Sequence, residues 1–208
     1  MLPSQLIIIG GGSMVAKQIV VIQGHPDASA LHLGHRLAQA YVRGAEQAGH
    51  QVGLIDVAAL DFPLLHSQDE WKNSAPVADI AAAQQALRRA THVVIFYPLW
   101  MGGMPALLKA FLEQVLRPGF AFQYGKNGSW RRNLKGRSAR VVVTMGTPGL
   151  VYRWYYCAHS LRSLVRNILS FTGIGPTRTT VIGMVEAMSE RRYQRLLNTL
   201  ERLGRKGI

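Results

Sequence analysis

The residues best suited to chemistry in this chain lie in three short segments, each directly after a run of apolar residues. Small residues, prolines and hydroxyl groups dominate these segments, which are GHPDASALH (24–32), PLWMGGMP (98–105) and TMGTPG (144–149). None of them pairs a nucleophile with a base, and none has the cysteine and histidine spacing of a zinc site. The three segments therefore favour ligand binding through the backbone over hydrolytic or metal chemistry.

The first segment suits a phosphate group. Ser29 is predicted to cap the helix that follows it, which leaves the backbone N–H groups of Ala30 and Leu31 free to face an anion. His25 would add a further donor, so that no lysine is needed. Ordinary helix capping by Ser29, and a loop histidine without a function at position 25, remain open as structural interpretations.

The second segment suits a flat ring that has hydrogen-bonding edges. Leu99 and Trp100 offer an apolar rim, and Pro98 stiffens it. Gly102 and Gly103 allow the backbone to come close to a ligand, and successive peptide groups at the tip can then contact the edge of a polar heterocycle. An isoalloxazine ring fits this description, whereas hydrophobic packing of a chain crossover is the structural alternative.

The third segment, residues 144–149, is expected to lie against the other end of such a ring. Reduction of a flavin places negative charge near N1 and the C2 carbonyl, which backbone amides, a tyrosine hydroxyl or a histidine would stabilise. Tyr152 follows this segment directly. The other histidines, His50, His66 and His92, are scattered along the chain and are interpreted as structural, and no metal site is predicted.

The elements that must position these segments alternate regularly between strand and helix. Continuous β-branched runs predict five strands, at residues 17–24, 50–57, 91–97, 138–146 and 177–185. Helical periodicity and terminal signals predict helices at residues 29–49, 74–90, 105–116, 159–173 and 189–204, the second of them capped by Ser74.

This alternation predicts an α/β fold, a doubly wound parallel sheet with helices on both faces and right-handed crossovers. Five strands favour the flavodoxin-like order 2-1-3-4-5. In such a sheet the ligand lies beyond the carboxyl ends of the strands, at the switch point between strands 1 and 3. All three segments follow a predicted strand and so would meet at that edge.

Composition sets the outer limits of the prediction. A chain of 208 residues with 48% apolar and 17% charged residues fits one domain with a sizeable core. We expect residues 1–13 to be an N-terminal extension outside the fold and residues 14–208 to form a single domain. No membrane-spanning segment or signal peptide is predicted, and one cysteine, Cys157, excludes an internal disulfide. We expect that cysteine to be a small buried residue and the protein to be cytoplasmic.

The charge of the chain is unevenly distributed. Residues 1–125 hold eight Lys and Arg against eight Asp and Glu, whereas residues 126–208 hold sixteen against three, so the net charge of +13 arises in the last two fifths. Such a surface would attract nucleic acid, an anionic membrane, a protein partner or a phosphorylated cofactor. No nucleic-acid-binding module is recognisable around the aromatic residues there, and we predict no nucleic-acid partner.

The segments QGHPDASAL, YPLWMGGMPALLKAFLEQVLRPGFAF and TMGTPG resemble the signature regions of the NAD(P)H:quinone reductase family with the flavodoxin-like fold. The likeness covers approximately Val15 to Val185. It implies tightly bound FAD or FMN, NADPH or NADH as hydride donor, and ping-pong transfer of two electrons to quinones or similar acceptors. It also implies a homodimer whose active site includes residues of both chains.

The resemblance assigns roles to individual residues of this chain. The phosphate loop would comprise His25, Ser29, Ala30 and Leu31. The flavin ring would be lined by Pro98, Leu99, Trp100, Met101 and Gly102, with Trp100 packed against it, and its pyrimidine end would be closed by Thr144, Met145 and Gly146. The implied catalytic residues are Tyr152 and His159, although His159 lies one residue beyond the family's histidine. His32 stands where the family often has asparagine, so the phosphate contact there differs.

Two other classes of function remain open. The family includes DT-diaphorase but also ancillary subunits of potassium-efflux systems, so a regulatory flavoprotein that docks on a membrane transporter is one alternative. A flavodoxin-type electron carrier is the other. Carriers of that kind are usually acidic, and the net charge of +13 argues against it.

Overall fold

The computed structural model describes residues 16–125 and 129–208. The predicted N-terminal extension, residues 1–13, lies outside the described residues. A five-stranded parallel sheet forms the centre of the molecule, with the strand order β2-β1-β3-β6-β7. Its strands are β1 (Gln18–Gln23), β2 (Gln51–Asp56), β3 (His92–Pro98), β6 (Ser138–Thr144) and β7 (Thr177–Ile182).

The predicted doubly wound flavodoxin-like sheet is therefore present, but its strand numbering differs from 2-1-3-4-5. Two short strands, β4 (Phe122–Tyr124) and β5 (Trp130–Arg132), precede the fourth strand of the sheet and pair with each other as an antiparallel hairpin. The sequence here is polar and rich in turn residues, and its alternation is too short to be recognised as strand. The predicted fourth and fifth strands correspond to β6 and β7.

Helices cover both faces of the sheet. The α-helices are α1 (Leu33–Gln47), α2 (Gln68–Asn73), α3 (Ala78–Arg89), α4 (Ala106–Val115), α5 (Gly149–Trp154), α6 (His159–Ser163) and α7 (Glu190–Arg205), and a π-helical segment (Leu164–Ser170) continues α6. Apolar residues of α1 and α7 form the core on one face, and those of α3, α4, α6 and the π-helical segment form the core on the other. The central strands β1, β3 and β6 lie between these two cores.

Two local predictions were wrong. Ser74 does not cap the second predicted helix, because α3 begins at Ala78 after Val77, and Ser74 instead ends α2. Pro76 disfavours helical backbone at the residue before it, which moves the start of the helix further along the chain. Cys157, expected to be buried, is exposed in the turn between α5 and α6.

The two helices on one face, α1 and α7, approach each other through glycines. A Cβ atom on Gly44 of α1 would lie 2.0 Å from the carbonyl oxygen of Glu201, and one on Gly204 of α7 would lie 2.0 Å from the carbonyl oxygen of Tyr41. Real Cβ atoms do not come so close to backbone, so these helices can pack at this distance only with glycine at both positions.

None of the helices within residues 16–125 and 129–208 has the length and apolar character needed to span a bilayer.

A buried histidine gives the fold a pH dependence. His92 is 2% exposed at the start of β3, and its Nδ1 lies 2.8 Å from the hydroxyl of Ser138. Burial, together with the smaller effect of the positive charges of Lys17, Arg140 and Arg178, lowers its pKa from 6.5 to about 4. Below pH 6.5 His92 binds a proton in the unfolded chain but not in the folded protein. The free energy of unfolding is therefore highest above pH 6.5 and decreases as the pH falls towards 4. We expect a loss of about 3 kcal/mol in the free energy of unfolding, measured by urea titration at stepped pH.

The control for this prediction is His92→Gln, which keeps a polar group beside Ser138 but cannot titrate. The difference between wild type and variant isolates His92 from the other groups that titrate in acid. If both proteins lose the same free energy of unfolding between pH 6.5 and 4, His92 is not the cause.

Candidate functional site

Three loops leave the carboxyl ends of adjacent strands and lie at one edge of the sheet. They are loop 1 (Gly24–His32, after β1), loop 2 (Leu99–Pro105, after β3) and loop 3 (Met145–Pro148, after β6). Backbone hydrogen bonds tie their bases together: the N–H of Gly24 donates to the carbonyl of Phe96 at 2.7 Å, and the N–H of Leu99 donates to the carbonyl of Thr144 at 2.8 Å. The convergence predicted from the sequence is therefore present, on a rigid base.

Loop 2 begins with a tight hairpin turn that projects from the sheet. Trp100 and Gly103 exchange two backbone hydrogen bonds of 2.9 and 2.8 Å. Between them Met101 and Gly102 both have positive φ, at 46° and 76°. This backbone is easy for glycine but strained for methionine, and strain of this kind is concentrated at ligand-binding sites. The side chain of Met101 is fully exposed at the tip.

Loops 1 and 2 meet through an aromatic contact. The indole of Trp100 lies edge-on to the imidazole of His25, with ring centroids 5.8 Å apart. His25 is 8% exposed, whereas Trp100 is 49% exposed. The role of Trp100 as an apolar rim for a flat ring stays a prediction.

Loop 1 is organised by a histidine cluster that the sequence analysis missed. The rings of His25 and His32 stack with centroids 3.9 Å apart, and His35 lies 5.3 Å from His25. Asp27 holds the cluster, because its Oδ2 lies 2.7 Å from Nε2 of His32 and its Oδ1 accepts hydrogen bonds from Ser29. The spacing of three histidines over eleven residues was the available signal, but it matches no metal or catalytic pattern.

The electrostatics of loop 1 follow from this packing. Burial lowers the pKa of His25, and the neighbouring His32 and His35 lower it further. The pKa of His35 is lowered too, chiefly by burial. Hydrogen bonds from Ser29 and His32 hold the pKa of Asp27 well below its usual range. Near neutral pH, therefore, Asp27 is an anion and His25 is a neutral ring.

The predicted helix cap at Ser29 was wrong. The N-cap of α1 is His32, whose N–H donates to Nδ1 of His35 at 3.2 Å, and the helix begins at Leu33. The hydroxyl of Ser29 donates to Asp27 at 2.5 Å instead. A serine hydroxyl can accept a hydrogen bond from an N–H at the start of a helix or donate one to a nearby carboxylate, and the sequence alone did not show which bond would form.

Free backbone donors remain in all three loops even so. Among the described residues no acceptor meets the N–H groups of several loop residues, among them Ala30 and Leu31, Met101 and Gly102, and Gly146 and Thr147. A Cβ on Gly102 would meet nothing within 4 Å, so the space above loop 2 is open. Unpaired amides beside open space fit an anionic group and a ring with carbonyl edges. The residues present thus fit a flavin phosphate and a flavin ring.

Residues at the strand ends shape the cleft through their backbone. Pro98 is the last residue of β3, and Thr144 the last of β6. The N–H of Met145 donates to the carbonyl of Ile182 at 2.9 Å, and its buried side chain packs into the core. Of the three residues predicted at the pyrimidine end, Gly146 is the one whose N–H has no acceptor among the described residues.

The two predicted catalytic residues do not lie together in an open pocket. Tyr152 is 2% exposed, and its hydroxyl lies 2.7 Å from the Ser160 hydroxyl and accepts a hydrogen bond from the N–H of Leu161 at 3.2 Å. His159 is exposed at the start of α6, with Nδ1 2.7 Å from the carbonyl of Tyr156. Tyr152 thus anchors the beginning of α6, and a catalytic role for either residue stays a prediction.

Gln23 is a further residue that the sequence analysis missed. It is buried at the end of β1, and its Oε1 accepts a hydrogen bond from the N–H of His25 at 3.1 Å. Its Nε2 has no acceptor among the described residues. Gln23 therefore fixes the path of loop 1 from below.

Within residues 16–125 and 129–208 no group of three His, Cys, Asp or Glu side chains has the geometry of a metal site.

Comparisons with known proteins agree with this architecture. The family model described as "Flavodoxin-like fold" matches residues 17–204. An uncharacterized NAD(P)H oxidoreductase of Haemophilus influenzae is 25% identical over 176 residues, which cover 83% of this chain and 86% of that protein. A glutathione-regulated potassium-efflux system ancillary protein of Serratia proteamaculans is 41% identical over 75 residues, or 36% of this chain and 38% of that protein.

Similarity to solved structures extends over most of the chain. The NAD(P)H:quinone oxidoreductase from Methanothermobacter marburgensis superposes with a TM-score of 0.75 and 22% identity, over 91% of this chain and 96% of that one. Three further curated relatives match over only 57% to 64% of their own length. This structural likeness shows the fold alone.

Proposed function

This chain belongs to the flavodoxin-like fold family, as its resemblance to the quinone reductases predicted, and on that premise we propose that it is a flavin-dependent NAD(P)H oxidoreductase that reduces quinones or similar acceptors. Its relative from Haemophilus influenzae is named as an NAD(P)H oxidoreductase, and a structural neighbour is an NAD(P)H:quinone oxidoreductase. A bound flavin, FMN or FAD, would supply the two-electron hydride chemistry.

One observation carries the proposal: the unpaired N–H groups at the edge where loops 1, 2 and 3 meet. Loop 1 would hold the phosphate through Ala30 and Leu31, whose amides are free because Ser29 and His32 point their polar groups at Asp27. A phosphate here needs no lysine, since consecutive unpaired backbone amides of a loop supply partial positive charge to an anion.

Loops 2 and 3 would hold the ring. Trp100 would pack against its apolar part, and the free amides of Met101 and Gly102 would meet polar atoms along its edge. The amides of Gly146 and Thr147 would stabilise negative charge that develops at the opposite end. We propose that donor and acceptor use the space beside Trp100 in turn, which gives ping-pong kinetics.

Turnover tests the proposed function. Purified protein saturated with FMN or FAD should oxidise NADPH or NADH in the presence of a water-soluble benzoquinone, with parallel lines in double-reciprocal plots for a ping-pong order. Comparison of the two nicotinamides decides the donor. Flavin-saturated protein that turns over neither nicotinamide would contradict the enzymatic proposal, and intersecting lines would contradict the ping-pong order alone.

We also propose a homodimer. A cavity of about 640 Å³ lies between α2, α4, the β4–β5 hairpin and the π-helical segment, and several of its walls are aromatic: Trp71, Phe122, Tyr124 and Phe171. Tyr124 is exposed, as is Trp130 on the adjoining strand. Exposed aromatic side chains beside an apolar cavity favour contact with a second copy of the chain. Light scattering should give twice the 23.0 kDa of the chain, and a monomer would contradict this part of the proposal.

A regulatory role is a second candidate, and the local similarity to a potassium-efflux ancillary protein favours it. In that case the protein would bind a transporter, and catalysis would be secondary. Binding to a purified potassium-efflux transporter, measured beside quinone turnover, separates the two. Turnover without transporter binding would remove this candidate.

A further inference from the structure

One end of the molecule carries an exposed apolar cluster with arginines beside it. The apolar members lie on α5 and in the turn after it, and they are Leu150, Val151, Trp154, Tyr155 and Tyr156. Trp154 is 80% exposed and Tyr155 79%. The basic members are Arg153, Arg162 and Arg166. We call these eight residues the aromatic–basic patch. Contiguous exposed apolar side chains of this size mark interaction surfaces.

The arginines of the patch surround a pocket. Arg153, Arg162 and Arg166 line a cavity of about 210 Å³ together with Thr179, and Leu161 and other apolar side chains complete its walls. Nothing in the described parts of the chain forms an ion pair or hydrogen bond with these three guanidinium groups. Guanidinium groups bind phosphate through paired hydrogen bonds, so the pocket is suited to a phosphate group.

We propose that the aromatic–basic patch binds the surface of an anionic phospholipid bilayer. The headgroup phosphate would lie among Arg153, Arg162 and Arg166, and the rings of Trp154 and Tyr155 would enter the interface. Tryptophan and tyrosine are enriched at the level of the lipid headgroups. Arginines near an anionic leaflet add electrostatic attraction. The net charge of +13 complements such a surface.

The charge of the patch argues against the other occupants. A two-fold symmetric dimer that used this surface would bury the same patch of both copies, and so would bring the unpaired charges of Arg153, Arg162 and Arg166 into one interface with those of the second copy. A small soluble phosphate ester would fill the pocket but leave Trp154 and Tyr155 uncovered. An anionic bilayer surface would contact both parts of the patch, because its phosphates would pair with the arginines and its apolar interior would cover the aromatic side chains.

The test is co-sedimentation of the full chain with vesicles. We expect binding to vesicles of phosphatidylglycerol and phosphatidylcholine, and none to phosphatidylcholine alone. Arg162→Glu with Arg166→Glu should raise the lipid concentration for half-maximal binding about tenfold or more. Trp154→Ala with Tyr155→Ala should raise it too, at unchanged charge. Circular dichroism confirms that each variant is folded.

A matched control exists on the opposite face of the sheet. Arg191 and Arg195 of α7 are exposed and have the same spacing as Arg162 and Arg166, so Arg191→Glu with Arg195→Glu makes the same change in net charge. This control should bind vesicles nearly as well as the wild type. Equal losses in both double variants would show that net charge alone attracts the protein, and the proposal would fail.

Three further outcomes would overturn the proposal. The first is the absence of binding to the anionic vesicles. The second is release of the protein from the vesicles by millimolar glycerol 3-phosphate, which would mean that the pocket binds a soluble phosphate ester. The third is a change from dimer to monomer in the variant with Trp154→Ala and Tyr155→Ala, which would make the patch a subunit interface. Each outcome is independent of quinone turnover.

Discussion

Replacing Trp100 with glycine should weaken flavin binding about 10- to 100-fold. The indole is 49% exposed beside His25, and a flavin ring packed against it would bury much of the remaining apolar surface. Loss of that burial costs about 1.5–3 kcal/mol, which corresponds to the stated change in affinity. Fluorescence titration of flavin-free protein with FMN and FAD measures it.

Trp100→Phe is the control for this prediction. Phenylalanine keeps an aromatic face at the same position and should restore most of the affinity. Both variants should unfold at nearly the temperature of the wild type, because Trp100 packs on the surface rather than in the core. Flavin affinity that is unchanged in Trp100→Gly would mean that loop 2 does not hold the ring.

Replacing Gly44 with alanine should destabilise the protein by about 2 kcal/mol or more. The new methyl group would lie 2.0 Å from the carbonyl oxygen of Glu201 on α7, so α1 and α7 would have to move apart. Gly204 makes the reciprocal contact with Tyr41, which means that the helices cannot simply slide to relieve the clash. Thermal unfolding should show a fall in melting temperature of about 4 °C or more.

Gly34 provides a matched control in the same helix. A Cβ there would lie 3.8 Å from the side chain of Gln23, an ordinary contact distance. Gly34→Ala should therefore be neutral or raise the free energy of unfolding by up to about 1 kcal/mol, because alanine has the higher helix propensity. If Gly34→Ala and Gly44→Ala unfold at the same temperature, the close packing of α1 on α7 is not what the structure shows.

The sheet could be predicted from the sequence because its central strands carry a strong local signal. The apolar runs of β1, β3 and β6 are buried on both sides, and β-branched residues dominate them. Parallel strands place their carboxyl ends at one edge, so the convergence of loops 1, 2 and 3 followed from strand order alone. The hairpin β4–β5 was missed because its strands are three residues each.

The arrangement within loop 1 could not be predicted, because it depends on competition between polar groups. The Ser29 hydroxyl could accept a hydrogen bond from an N–H at the start of the helix or donate one to Asp27, and the bond to the charged carboxylate is the stronger one. Histidine is a weak helix cap by propensity, yet His32 occupies that position because Asp27 and His35 hold it there. Only the folded geometry decides between such contacts.

The positions of Tyr152 and Met145 show a related limit. Their sequence context favours a residue at the cleft, but the side chains of both lie in the core. The short helix α5 was not predicted, and it directs Tyr152 towards the core. Without that helix, the sequence does not distinguish a residue in a loop from a residue in the core. The backbone donors of loops 2 and 3, by contrast, depend on glycine and turn geometry, which the sequence does report.

The measurement that tests the central claim most directly is a titration of flavin-free protein with FMN, FAD and riboflavin. In the proposed site, loops 1, 2 and 3 bind a flavin by both its phosphate and its ring. FMN and FAD should then bind, and their flavin fluorescence should be quenched. Riboflavin, which lacks the phosphate, should bind at least about tenfold more weakly. Riboflavin binding as tight as FMN would contradict the role of loop 1. No binding of any of the three would contradict the flavin site altogether.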